Sequence, residues 1–111
     1  MTWARARDFI LPALKDGAED DLLDDIARGF VQLWTGRHAA MATQLVRDPA
    51  SIHCWLAGGD LDEILALMPG LEAYGRAMGC THATVDGRKG WARVLKPYGY
   101  ERDGAELRKV L

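Results

Sequence analysis

The sequence predicts an α/β domain: a mainly antiparallel sheet with two amino-terminal helices, a crossover helix and a carboxy-terminal helix. Three observations predict it. Apolar residues recur at helical spacing over 18–30 and again over 61–79; between these stretches the period shortens to that of extended chain; and a second alternating run, 81–86, follows the later helix. A strand, helix, strand order makes 51–57 and 81–86 adjacent parallel strands joined by a right-handed crossover.

The first helix is expected over residues 3–15, where Trp3, Phe9, Ile10 and Leu14 stand among charged neighbours and Pro12 interrupts the spacing. The second, 18–30, carries Leu22, Leu23, Ile26, Ala27 and Phe30 on one face. Its acids gather in the first turns, where the helix dipole favours them, and Gly29 ends it. Strands are expected near 31–34, 38–46 and 51–57, divided by the turn signals Thr35-Gly36 and Arg47-Asp48-Pro49. Asp60 is a suitable cap for the next helix, whose apolar face runs Leu61, Ile64, Leu65, Met68, Leu71, Tyr74 and Met78. Pro69 predicts a break or kink, opening a second helical segment that Gly79 ends. A helix over 87–97 follows the 81–86 strand, and residues 100–110 supply a last strand that Asp103-Gly104 can split into a hairpin.

A chain of 111 residues with 49% hydrophobic content suits one domain, taken as 1–111. No apolar run approaches the ~20 residues of a membrane span, and the first residues lack the uncharged stretch of a signal peptide. A cytoplasmic protein is expected, with no membrane partner. Cys54 and Cys80 are too few for a disulfide framework or a zinc cluster and read as buried thiols; no metal-ligand cluster and no serine triad is visible.

Net charge is −2, unevenly placed. Residues 1–36 hold four Lys/Arg against seven Asp/Glu, 37–87 three against six, and 88–111 seven against three. Trp91, Tyr98 and Tyr100 lie among Arg88, Lys89, Arg93, Lys96 and Arg102, an arrangement that can stack on single strands. Trp91 shares a helical face with Val94 and Leu95, however, which favours packing against the sheet with the cations outward, so nucleic acid is not the expected partner.

Several short motifs occur in a fixed order: Gly79-Cys80, then Val85-Asp86-Gly87-Arg88-Lys89-Gly90-Trp91, then Tyr98-Gly99-Tyr100-Glu101. With the strand and helix order of residues 38–111, they resemble the GNAT (N-acetyltransferase-like) superfamily. The run from Trp55-Leu-Ala-Gly-Gly-Asp-Leu to Gly-Arg-Lys-Gly-Trp-Ala-Arg is similar to small GNAT-like proteins of bacterial phages and prophages. The resemblance implies an acyl-CoA cleft where two parallel strands splay apart, with acetyl-CoA as cofactor and a small amine as substrate. Its pyrophosphate would lie on the turn Gly58-Gly59-Asp60-Leu61, beside Cys54 and Trp55, and Arg88 and Lys89 would serve it if the start of the neighbouring helix lies over the same opening. His38, His53 and His82 are candidate bases, of which His53 and His82 would flank the cleft, and Tyr98 is the candidate acid.

The residues depart from that pattern. The turn has no Arg or Gln ahead of its glycines and carries Asp60, Asp62 and Glu63, which repel a phosphate. Counting five back from Tyr100, where a general-acid Tyr would fall, reaches Leu95. The expectation is therefore a degenerate acyl-CoA site with no cofactor and an accessory or interaction role toward a protein partner. The alternative is a small acetyl-CoA-dependent N-acyltransferase.

Overall fold

The computed structural model describes residues 3–14, 19–47, 49–87 and 90–111. Helix α1 (Trp3–Ile10) leads into a 3-10 turn (Leu11–Ala13), so the chain leaves α-helical geometry where Pro12 removes a donor. Helix α2 (Glu19–Ala27) is followed by strands β1 (Val31–Thr35), β2 (Ala39–Val46) and β3 (Ser51–Gly59). Helix α3 (Leu61–Ala77) leads to β4 (His82–Asp86). The short helix α4 (Trp91–Leu95) continues as a 3-10 turn (Lys96–Tyr98) into the hairpin β5 (Glu101–Asp103) and β6 (Glu106–Val110).

One six-stranded sheet runs in the order β1-β2-β3-β4-β6-β5. All pairings are antiparallel except β3 with β4, which run parallel with Ser51 opposite His82 and Cys54 opposite Val85. This is the expected α/β layout, with α3 as the crossover. Alternation along the strands separates two cores. Met41, Ile52, Cys54, Ala83, Val85 and Leu107 meet Ile64, Met68 and Leu71 of α3 on one face. Ala40, Ala42 and Leu56 meet Ala6, Ile10 and Leu22 of the amino-terminal helices on the other.

Of the break or kink expected at Pro69, the break does not occur and no second segment opens there: α3 is continuous through it. Ile64 and Met68 before the proline and Leu71 and Gly75 after it are all buried, so packing on both sides holds one helix while Pro69 itself faces solvent. Leu61 and Met78, placed on the buried face by periodicity, are exposed, because they lie in the helix's first turn and beyond its end. Helix α3 stops as expected at Gly79, where Cys80 N–H bonds to Gly75 O and Gly79 N–H to Arg76 O. The carboxy-terminal helix is shorter than 87–97, and Trp91 is half-buried at the margin of the core.

Glu72 of α3 is buried, with Tyr100 Oη donating to it at 2.7 Å and Lys109 Nζ of β6 at 2.9 Å. Burial pushes the Tyr100 phenol upward, and its bond to the Glu72 carboxylate adds to the shift. Lys109→Met would leave that carboxylate buried without its cation. It should destabilise the fold by about 3 kcal/mol in urea unfolding, whereas a change under ~1 kcal/mol would show that water reaches Glu72.

A second clamp joins α1 to α2. Arg7 donates to Glu19 at 2.6 and 2.8 Å and Trp3 Nε1 at 3.0 Å, and these bonds lower the Glu19 carboxyl from 4.5 to about 2. Because the folded value is depressed, the contribution is complete above about 4.5 and is lost as pH falls toward about 2. In acid titration the stability difference between wild type and Glu19→Gln should shrink over that interval; a difference independent of pH would exclude the clamp.

Candidate functional site

The parallel strands β3 and β4 stay paired for only four residues, from Ser51/His82 to Cys54/Val85. Beyond that, β3 bulges. Thr43 pairs with Cys54 and Ala42 with Leu56, so Trp55 has no partner on β2. Asp86 is paired only with β6. The two strands thus part at the place where an acyl-CoA cleft was expected.

The opening between them is nearly filled. A notch of about 20 Å³ remains, lined by Cys54, Trp55, Ala57, Val85, Asp86 and Trp91. That is room for about one water molecule. The Cys54 thiol lies 3.5 Å from Leu56 O, and burial pushes it up to about 12, which keeps it protonated and unreactive. Among the described residues no buried side-chain polar atom lacks a partner.

The turn after β3 has structural roles for the residues expected at a pyrophosphate. A Cβ on Gly58 would overlap Phe9 O, and one on Gly59 would overlap His38 O, with Gly59 also at φ +105°. These glycines admit α1 and the start of β2 against the end of β3. Asp60 N–H is taken by His38 O, and the Asp60 carboxylate caps α3 by accepting Glu63 N–H at 3.1 Å. The Glu63 carboxylate accepts His38 N–H at 2.9 and 3.1 Å, pinning the β1–β2 turn. Two of the three acids are therefore committed to the fold, and Leu61 and Asp62 stand exposed. Arg88 and Lys89 lie outside the described residues.

Of the candidate acid and base residues, His53 has the most developed surroundings. Its side chain is only 12% exposed, Nε2 lies 3.1 Å from Asp86 Oδ1, and Nδ1 lies 2.7 Å from Thr84 Oγ1 and 3.8 Å from Glu106 Oε1. His82 is elsewhere. Sitting at the first residue of β4, it is four residues, roughly 13 Å, from the splay at Asp86. There Arg108 Nη2 donates to its Nε2 at 3.0 Å, which places the proton of a neutral ring on Nδ1, toward Thr81 Oγ1 at 2.7 Å. Tyr98 is 42% exposed in the turn after α4. The structure brings His53, Cys54 and Trp55 to the splay and leaves His82 and Tyr98 away from one another's surroundings.

The residues missed in the sequence lie on the sheet face opposite α3. Thr84 and Asp86 alternate with core residues on β4, as Glu106 and Arg108 do on β6. Asp86, Glu106 and Asp103 stand in one row across three strands, and Arg108 Nη1 meets Asp103 at 3.1 Å. Polar residues at every second position of two strands were the available signal.

Compared with known proteins, the chain matches no family model, no curated protein and no solved structure. Among the described residues no helix is long and apolar enough to cross a membrane.

The tight contact at Gly58 is open to a direct check. Gly58→Ala drives a methyl group into the Phe9 carbonyl and should cost at least about 2 kcal/mol in chemical denaturation. A neutral substitution would show that α1 is not seated on this strand.

Proposed function

We propose that this chain is a GNAT-like domain with a degenerate acyl-CoA site, serving as an accessory or interaction protein. A phage or prophage setting and a cytoplasmic location belong to the same reading. The observation that carries it is the state of the splay between β3 and β4. A notch of about 20 Å³ is far below the several hundred Å³ that a ligand with an extended arm occupies. The adjoining turn spends its capping groups on α3 and the β1–β2 turn, and retains an acidic surround.

The second reading, acetyl-CoA-dependent acylation of an amine, is favoured by one observation. His53 paired with Asp86 stands beside the splay and has the form of an oriented base.

Calorimetric titration with acetyl-CoA separates the two. The accessory reading expects no heat and no thermal stabilisation at millimolar ligand. A dissociation constant below ~10 μM, equivalent to roughly −7 kcal/mol, would overturn it, and loss of that affinity on Arg88→Ala with Lys89→Ala would then place the phosphates.

A further inference from the structure

Helix α1 rests on β2 and β3, and α2 on β1, so the same sheet face over β4, β6 and β5 is left as a polar shelf. A cavity of about 260 Å³ lies on this shelf, lined among others by Arg47, Ser51, Thr84, Glu106 and Arg108. Thr84 is 7% exposed, and its hydroxyl is 2.7 Å from His53 Nδ1. Asp86 Oδ1 lies 3.1 Å from His53 Nε2, and in the tautomer that carries the ring proton on Nε2 the Nδ1 atom accepts from the Thr84 hydroxyl. In that tautomer the three groups stand in the order hydroxyl, imidazole, carboxylate across two strands. The order is that of an activated nucleophile, its base and the group that orients the base.

We propose that Thr84 is a nucleophile for small carboxylic esters bound in this cavity, activated by His53 and with Asp86 as positioning residue. The inference goes beyond the accessory reading and requires no CoA. Thr84 Oγ1 attacks the ester carbonyl carbon while its proton passes to His53 Nδ1. Arg108, directly across the β4–β6 ladder and lining the same cavity, has guanidinium donors to meet the developing oxyanion. The C–O bond to the alcohol breaks, and the leaving oxygen takes the proton from His53. Water then attacks the acyl-threonine with His53 as base, releasing the carboxylic acid and restoring the hydroxyl. Asp86 stabilises the imidazolium in both halves.

The probe is p-nitrophenyl acetate with the full chain, read as p-nitrophenol release together with peptide mapping of the acetyl group. Thr84→Val and His53→Gln should each lower kcat/KM by about 10²-fold or more, the scale of a lost general base. Thr84→Ser should retain activity even if Thr84→Val disturbs the strand. Asp86→Asn should lower kcat with KM little changed, which a merely structural residue would not do selectively. Cys80→Ser should change nothing. Wild-type rates equal to those of Thr84→Val, or acetyl found only on residues other than Thr84, would overturn the proposal and leave His53–Thr84 as a cross-strand hydrogen bond. Binding of acetyl-CoA would refute the accessory reading without touching this result.

Discussion

The four-residue parallel pairing of β3 with β4 is the seam on which this fold depends. On one side lies the antiparallel meander β1–β3, and on the other the unit β4, β6 and β5. A seam so short needs reinforcement from outside the ladder. Helix α3 provides it, since its apolar face covers both β3 and β4 and its Glu72 reaches Tyr100 and Lys109 at the far unit. A buried carboxylate is costly unless fully paired, so the same three groups that add attraction also specify where β6 must sit.

The seam ends in a bulge, and the bulge sets the chemistry around it. The extra residue at Trp55 ends the parallel register and exchanges the faces of the strand residues beyond it. Ile52 and Cys54 belong to the α3 core, and Leu56 to the core beneath α1. A splay of this kind can open a ligand cleft, but here Trp55 and Trp91 line the small notch that remains, and the carboxyl end of β3 is clasped by Phe9 and His38. The amino-terminal helix is thus seated by the same glycines on which the resemblance placed a pyrophosphate. Both uses need a bare backbone, and sequence cannot distinguish a carbonyl neighbour from a phosphate one.

The polar shelf has a different origin. An antiparallel sheet tolerates one solvated face, and the two amino-terminal helices pack chiefly on β1, β2 and β3. The connected order of its groups lifts the shelf above an ordinary solvated surface. His53 is mostly buried between Thr84 and Asp86, and Arg108 is held between His82 and Asp103. Side chains fixed from two directions lose little further freedom on meeting a ligand.

Local pattern by itself determined the helices, the strands, the turn at Gly79, the cap at Asp60 and the parallel order of 51–57 and 81–86, because each follows from periodicity, capping chemistry or the steric rules of crossovers. It did not determine that α3 passes unbroken through Pro69, since burial on both sides of the proline is a tertiary quantity. Nor did it pair His53 with Asp86 and Thr84, more than thirty residues away. His53 was visible as a candidate. Its partners depended on which strands became neighbours and on the register between them, and a shift of one residue would have turned Thr84 and Asp86 to the opposite face. The sizes of the notch and the shelf cavity were likewise decided only when Trp55, Trp91 and the ends of the strands had packed together.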